Sequence, residues 1–137
     1  MAIIYRKNII PDSENVRHLY NDAGFTSYTR DLDYLMKALK SSLFIITAWE
    51  NDSLIGLARA VGDGKTIVYI QDILVLSSYR RKDIGTNLVK QIISEFPDVR
   101  QKVLLTDDKP ENRRFYESLG FISCDKGKLI AFARFDN

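Results

Sequence analysis

The chain has 137 residues, 45% of them hydrophobic, which is a size and composition typical of one compact globular domain. The single cysteine, Cys124, excludes an intrachain disulfide, and we expect it to be a small buried hydrophobe. His18 is the only histidine, so a histidine-based triad or zinc site has little to draw on, and we predict no metal. The net charge of +2 does not indicate a nucleic-acid-binding protein unless the cations are concentrated in one place.

The N-terminal sequence lacks the features of an export signal. "MAIIYRKNII" reaches a charged residue after five residues and has no apolar signal-peptide core. No apolar run approaches the roughly 20 residues that a membrane span needs. We therefore expect a cytoplasmic protein with no membrane partner.

The first third of the chain predicts one strand and two helices. Residues 2–7 are typical of a short strand, and "DSENVRHLYNDAG" predicts a helix that is capped by Asp12 or Ser13 and ended by Gly24. "RDLDYLMKALKSS" predicts a second helix, because its leucines and methionine recur at helical spacing.

The apolar periodicity then changes to that of strands. "LFIITAWEN" and "NDSLIGLARAV" predict two strands joined by a hairpin turn at Asn51-Asp52. "IVYIQDILVL" (67–76) is apolar on both faces, which predicts a central strand.

The remaining elements alternate. "IGTNLVKQIISEF" predicts a helix stopped by Pro97, "KVLLT" a short buried strand, "PENRRFYESLGF" a helix with Pro110 in its first turn and Gly120 at its end, and "KLIAFARF" a final strand. This order predicts an α/β (α+β) fold on a mixed sheet, and the absence of a linker predicts a single domain over residues 1–137.

The segment "YRRKDIGTNLV" (79–89) places three cations and a glycine where the predicted central strand ends and a helix begins. The first N–H groups of a helix lack intrahelical partners and carry the positive end of its dipole. Arg80, Arg81 and Lys82 add positive charge, and Gly85 permits close backbone approach. The composition indicates an anion site, although a solvated basic turn has the same composition. There is no G-x-x-x-x-G-K-S/T or G-x-G-x-x-G motif, which argues against a nucleoside triphosphate or dinucleotide site.

"ILVLSSYRRKDIGTNLV" resembles the acyl-coenzyme A signature Q/R-x-x-G-x-G/A of the GNAT family of N-acetyltransferases, in a small, single-domain, bacterial-type form. Arg80 matches its first position and Gly85 its last, whereas Asp83 replaces the usual first glycine. We expect the Asp83 carboxylate to point away from a bound diphosphate and to cap the helix. "FYESLGF" (115–121) resembles the closing helix of the family, although Lys109 and Asn112 depart from the usual asparagine and alanine upstream of the tyrosine.

The resemblance implies a mixed, mostly antiparallel central sheet flanked by helices on both faces, and transfer of an acetyl group from acetyl-CoA to an amine. It implies that the backbone from Arg81 to Thr86 holds the diphosphate and that the edge at Ile73–Val75 pairs with the pantetheine arm. The implied cofactor-binding residues are Ile73, Leu74, Val75, Arg80, Arg81, Lys82, Asp83, Ile84, Gly85, Thr86, Asn112, Phe115 and Tyr116.

Two residues are candidates for moving protons. Asp72 interrupts an apolar strand just before the implied cofactor segment, so it is a candidate base for the acceptor amine; a structural carboxylate is the alternative. The resemblance implies that Tyr116 protonates the leaving thiolate; ordinary helix packing is the alternative.

The acceptor site is predicted near the two early helices. Phe25, Tyr28 and Tyr34 make this region aromatic, which suits a cationic or arylalkyl amine, and Arg59 is a polar residue in an otherwise apolar strand that can project into the cleft. Core packing explains the aromatic residues almost as well. The sequence is compatible with a monomer or a homodimer.

Two other functions compete with catalysis. A coenzyme A-binding sensor or protein-interaction module would keep the fold and bind without turnover. A nucleic-acid module would use the basic turn with Arg113 and Arg114, but the acids interleaved near these arginines disfavour it, and we predict no nucleic-acid partner.

Overall fold

The computed structural model describes residues 2–136. Its strands are β1 (Ile4–Lys7), β2 (Phe44–Glu50), β3 (Ser53–Gly62), β4 (Ile67–Val75) and β5 (Gln101–Leu104). Its helices are α1 (Ser13–Asp22), α2 (Thr26–Thr29), α3 (Leu32–Lys40), α4 (Ile84–Glu95) and α5 (Pro110–Ser118). Short 3-10 turns cover Ser77–Tyr79 and Cys124–Lys126. The chain divides into two compact units, the first ending at Leu105 and the second beginning at Thr106.

The first unit contains a five-stranded sheet in the order β1-β2-β3-β4-β5. Neighbouring strands from β1 to β4 are antiparallel, and β4 and β5 are parallel. Helix α1 contacts one face of this sheet through Tyr20 and Asp72, and α4 packs on the other face at Gly56. The predicted mixed, mostly antiparallel sheet with helices on both faces is confirmed.

The helices form where the sequence supplies a cap and an apolar stripe. The Asp12 carboxylate accepts a hydrogen bond of 2.8 Å from the backbone N–H of Asn15, so Asp12 is the N-cap of α1. In α4, the buried side chains are Ile84, Leu88, Val89 and Ile92, which recur at helical spacing. Burial of each such side chain contributes about 1.5–3 kcal/mol and fixes the helix against the sheet.

A β-bulge in β4 changes which face of the sheet the following residues occupy. Ala60 pairs with Ile70, but Arg59 pairs with Asp72, so Gln71 is an extra residue in β4. Paired residues on antiparallel strands share a face. The bulge therefore moves Asp72 off the face of Ile70 and onto the face that contacts α1.

The structure contradicts two sequence expectations and contains one helix that was not expected. Within residues 2–136, the segment 128–135 forms no strand, so the predicted final strand is wrong. A strand needs a hydrogen-bonded neighbour, and the apolar pattern of this segment does not supply one. Cys124 is exposed rather than buried, since it lies in a surface 3-10 turn. The short helix α2 was not predicted, because four residues are too few to show a helical period.

The single-domain organisation stays a prediction. Within the described range, no helix combines the length and apolarity that crossing a membrane requires.

Candidate functional site

The turn between β4 and α4 has an unusual backbone. Arg81 and Asp83 have φ angles of +67° and +62°, so both residues are in the left-handed region that non-glycine residues seldom occupy. Alternation of left-handed and ordinary residues turns successive N–H groups toward one side of the chain, which is an arrangement that binds anions. The side chains of Arg80, Arg81 and Lys82 are exposed, so the turn is accessible and positively charged.

The conformation of Asp83 explains why an aspartate replaces the glycine of the related motif. The position requires a positive φ angle, which glycine adopts freely and which aspartate tolerates better than most residues. Asp83 is the N-cap residue of α4, but its side chain accepts no capping hydrogen bond, so the expectation that its carboxylate caps the helix is wrong. Among the described residues, no hydrogen bond occupies the backbone N–H groups of Ile84, Gly85 and Thr86.

The first turn of α4 lies close to the sheet at Gly56. A Cβ atom added at Gly56 would lie 3.2 Å from Ile84 Cγ2, from Leu88 Cδ1 and from the carbonyl oxygen of Leu74. This spacing is tighter than ordinary van der Waals contact, so a larger residue would displace the helix end that carries the free N–H groups.

Two acidic side chains accept hydrogen bonds from Ser77 and Tyr79, which lie just before the basic turn. Asp22, at the end of α1, accepts hydrogen bonds from the backbone N–H of Ser77 at 2.8 Å and from its hydroxyl at 2.9 Å. These bonds, the backbone one foremost, lower the pKa of Asp22, and the charge of Arg80 lowers it further. The Tyr79 hydroxyl donates to the carboxylate of Glu50, and this hydrogen bond raises the pKa of Tyr79. The turn is thereby fixed to α1 and to the end of β2.

The strand that leads into the turn has a free edge. Only Ile67–Ile70 of β4 pair with β5. The segment Gln71–Val75 pairs with β3 on one side and has no strand beside it on the other side within residues 2–136. Its backbone N–H and C=O groups on that side are open to an added extended chain. The predicted residues Ile73, Leu74 and Val75 therefore lie on an unpaired edge directly before the basic turn.

A buried ion pair lies beside this edge. The Asp72 Oδ2 atom accepts a hydrogen bond of 2.7 Å from Arg59 Nε and one of 2.8 Å from the Tyr20 hydroxyl. Asp72 and Arg59 are only 4% and 6% exposed. Burial lowers the pKa of Arg59, but the charge of Asp72 and its hydrogen bond outweigh burial and raise it. The pKa of Tyr20 is raised by burial first and by the Asp72 charge second. The raised pKa values hold Arg59 charged and Tyr20 neutral.

Aromatic side chains surround this ion pair on the α1 and α2 side. Tyr20, Phe25 and Tyr28 have ring centroids 5.7–6.3 Å apart. The Tyr28 hydroxyl also accepts a hydrogen bond of 3.2 Å from Gln71 Nε2, so the bulge residue joins the cluster. The predicted acceptor residues Phe25, Tyr28 and Arg59 are brought together here. Tyr34 is 74% exposed in α3 and takes no part in these contacts.

The second unit contains the other predicted site residues. Tyr116 packs edge-on against Phe115 and Phe121, with ring centroids 4.9 Å and 5.9 Å away. Burial raises the pKa of Tyr116, so the phenol is protonated at neutral pH. Asn112 Nδ2 donates to the carbonyl oxygen of Asp107 at 3.1 Å, which supports the start of α5.

Carboxylates of the second unit balance the positive charge of its Arg113. Arg113 forms ion pairs with Asp108 at 2.8 Å and with Asp125 at 3.6 Å. Its charge is thus engaged by carboxylates of the same unit. Among the described residues, no cluster of three or more histidine, cysteine, aspartate or glutamate side chains could hold a metal ion.

Sequence reasoning missed several residues that shape the site. The sequence assigns no role to Tyr20, Asp22, Glu50 or Tyr79. Their partners lie 29 to 55 positions away in the chain, so only the folded structure brings these contacts together. The hydroxyl of Tyr20, on a stripe of otherwise apolar residues, was the one sequence feature that indicated a buried polar partner.

Comparisons with known proteins agree on one family. The model of the Acetyltransferase (GNAT) family matches residues 13–121. A GNAT-family acetyltransferase from Streptococcus pneumoniae is 35% identical over 98% of both chains, with a TM-score of 0.88. A probable acetyltransferase from methicillin-resistant Staphylococcus aureus is 27% identical over 98% of this chain and 100% of that chain, with a TM-score of 0.79. An aminoglycoside acetyltransferase from an uncultured soil metagenomic sample is 17% identical over the full length of both chains and shares the fold, with a TM-score of 0.73. No curated protein sequence gives a match.

Proposed function

The chain belongs to the GNAT acetyltransferase family, and we propose that it transfers an acetyl group from acetyl-CoA to a primary amine of a small molecule or peptide by direct attack in a ternary complex. The observation that carries the proposal is the exposed turn at residues 80–83, in which two left-handed residues precede a helix with free N–H groups. A cytoplasmic location is part of the same proposal.

The turn and the strand edge fit the two ends of coenzyme A. A diphosphate carries negative charge and many acceptor oxygens, which the backbone from Arg81 to Thr86 and the exposed cations can bind. The pantetheine arm contains amide groups, which can pair with the free edge at Ile73–Val75 as an added strand does. An arm held along this edge directs its thioester toward Asp72 and the aromatic cluster.

The chemistry requires two proton movements. A free alkylamine has a pKa near 10.4, so only about one molecule in a few thousand is an unprotonated nucleophile at pH 7. The amine nitrogen forms a bond to the thioester carbon, the carbon–sulfur bond breaks, the amine loses a proton and the thiolate gains one. We assign the first proton to Asp72 and the second to Tyr116, whose raised pKa keeps it a neutral donor.

The contacts of Asp72 support a role as proton acceptor. Its hydrogen bonds from Tyr20 and from Arg59 both reach Oδ2. Oδ1 is then the oxygen that takes the proton, directly or through water. Arg59 is assigned the role of a positioning residue for Asp72 rather than that of an acceptor-binding residue.

The aromatic cluster supports an acceptor class. Phe25 and Tyr28 pack against Tyr20, whose hydroxyl donates to the Asp72 carboxylate. Aromatic faces near negative charge attract ammonium groups. The proposed acceptor is therefore a cationic or arylalkyl amine.

Calorimetry with coenzyme A tests the cofactor site first. Binding should be weakened at least tenfold by Arg80→Ala and unchanged by Arg100→Ala, which removes an exposed arginine next to β5. Thiol release from acetyl-CoA is then measured across polyamines, aminoglycosides, arylalkylamines and lysine peptides. Turnover of a cationic or arylalkyl amine supports the proposal. Binding with no turnover of any amine would favour the sensor function, and no binding of coenzyme A would refute both functions.

A further inference from the structure

Two consecutive residues of β4 contact two tyrosines that also pack on each other. Gln71 Nε2 donates a hydrogen bond of 3.2 Å to the Tyr28 hydroxyl. Asp72 Oδ2 accepts one of 2.8 Å from the Tyr20 hydroxyl. The rings of Tyr20 and Tyr28 meet edge to face, with centroids 5.7 Å apart and planes at 87°. These contacts close a network of four side chains that lies entirely within the first unit.

The β-bulge brings the two β4 side chains of this network to the same side of the sheet. In a regular strand, consecutive side chains point to opposite faces, so Gln71 would face away from Asp72. As the extra residue of the bulge, Gln71 instead contacts Tyr28 on the side of α1 and α2. Bulges next to active sites commonly redirect a side chain in this way. The bulge therefore places an amide group directly beside the candidate base.

Gln71 is the polar link between α2 and the sheet. Within the part of the chain that the structure describes, α2 makes its other side-chain hydrogen bonds through the Thr29 hydroxyl. That hydroxyl donates to Asn21 Oδ1 at 2.6 Å and to the carbonyl oxygen of Thr26 at 3.3 Å, and neither partner belongs to the sheet. A helix of four residues has too few internal hydrogen bonds to be stable by itself. The position of Tyr28 therefore depends on ring packing and on its bond to Gln71.

We propose that Gln71 determines acceptor specificity by holding Tyr28 at a fixed distance from Asp72, which limits the width of the amine that can approach the carboxylate. This inference rests on the proposed function, because it requires an amine to reach Asp72 beside Tyr28. A ring that is held by a hydrogen bond and by an edge-to-face contact yields little to a wider substrate. The site should therefore favour an amine on an unbranched carbon over its branched analogue. Gln71 acts through Tyr28 and is a positioning residue.

The strength of one neutral hydrogen bond sets the size of the effect. Its net contribution corresponds to about a twofold to tenfold change in an equilibrium. One methyl group in a substrate pocket typically changes kcat/KM by a factor of about 10–200, so partial release of the ring should cause a measurable loss of discrimination. Because Gln71 is exposed, the variant Gln71→Leu should fold and should melt within about 5 °C of the wild type.

Amide hydrogen exchange tests the link without any turnover. The backbone N–H groups of Tyr28 and Arg30 donate to carbonyl oxygens of the same segment, so their exchange reports opening of α2. Gln71→Leu should speed both exchange rates by about twofold to tenfold. The N–H of Leu35 in α3 serves as the internal control and should exchange at the wild-type rate. Equal exchange of the α2 amides in the wild type and in the variant would overturn the proposal.

Kinetics with paired amines test the specificity. The pair consists of the unbranched amine with the highest kcat/KM in the acetylation panel and its analogue with a methyl group on the carbon next to nitrogen. In Gln71→Leu, the ratio of their kcat/KM values should fall by about twofold to tenfold, while the Kd for coenzyme A is unchanged. Thr29→Val removes the α2 hydroxyl that bonds to α1 rather than to the sheet, so this matched control should keep the wild-type ratio. An unchanged ratio in Gln71→Leu, or an equal fall in Thr29→Val, would refute the specificity role.

A double-mutant cycle establishes whether Gln71 acts through Tyr28. Tyr28→Phe removes the hydroxyl that Gln71 contacts, so adding Gln71→Leu to it should change the ratio no further. Additive effects would mean that Gln71 contacts the amine itself, and the positioning role would be wrong. A wild-type chain that acetylates no amine would sink the proposed function and this specificity with it, whereas turnover with a ratio that Gln71→Leu leaves unchanged would sink only the specificity.

Discussion

Replacing Arg59 with leucine should destabilise the protein strongly, because it leaves a buried carboxylate without its cation. Arg59 Nε and Asp72 Oδ2 are 2.7 Å apart, and both side chains are almost fully buried. Removing one member of a buried ion pair typically costs about 3–5 kcal/mol. For a chain of this length, 1 kcal/mol corresponds to about 3 °C in the melting temperature, so we expect Arg59→Leu to melt about 10–15 °C lower.

Two further variants separate charge from packing. Tyr20→Phe removes one hydrogen bond to Asp72 and should cost about 1.5–3 kcal/mol. The double variant Arg59→Leu with Asp72→Leu removes both charges and should recover most of the stability lost in the single variant, because apolar replacements of buried ion pairs are often neutral or stabilising.

Urea unfolding, followed by the fluorescence of Trp49, measures these changes. Trp49 is the only tryptophan and lies buried in β2, so its emission reports the sheet directly. A loss below about 1 kcal/mol for Arg59→Leu, or a double variant no more stable than the single one, would refute the coupling. If the folded double variant kept the wild-type kcat, Asp72 would not be the proton acceptor.

Three other predictions concern the turn and the proposed chemistry. Asp83→Gly should relieve the strain of the left-handed backbone and remove a negative charge from the turn. Coenzyme A should therefore bind more tightly in calorimetry, while the free energy of unfolding changes by less than about 1 kcal/mol. Weaker binding of coenzyme A would contradict this prediction. Because hydrogen bonds from Ser77 lower the pKa of Asp22, its stabilising contribution is complete above the unfolded pKa of about 3.9 and is lost as the pH falls through the lower folded value. Asp22→Asn should therefore flatten the acid limb of urea midpoints measured below pH 5, and an unchanged limb would argue against the contact. Tyr116→Phe should lower kcat more than it weakens coenzyme A binding, and equal kinetics would remove Tyr116 from the mechanism.

Most of the fold could be predicted from the sequence, because local sequence patterns determine where its helices and strands form. The caps, apolar stripes and turn residues predicted α1, α3, α4 and α5 and the five strands that form, with errors at their ends. The final strand was wrong because strand formation depends on a neighbouring strand, and the pattern of residues 128–135 does not specify one.

The candidate site could be predicted only in part from the sequence, because its contacts join distant parts of the chain. The basic residues and glycine of the turn indicated an anion site, but the left-handed conformation of Arg81 was not indicated by any residue type. The position of Asp72 depends on the bulge at Gln71, which alternation alone cannot predict. Its pairing with Arg59 follows from the register of two strands.

The hydrogen bonds from Ser77 to Asp22 and from Tyr79 to Glu50 make the shape of the basic turn a property of the folded chain. They span 55 and 29 positions, so an excised peptide containing the turn lacks both supports. Any occupant that recognises this shape binds the native state alone and opposes denaturation by mass action. At a free concentration of 100 times its Kd, such an occupant adds about 2.7 kcal/mol to the unfolding free energy. The thermal stability of the protein therefore reports binding at the turn directly, even for ligands that are never turned over.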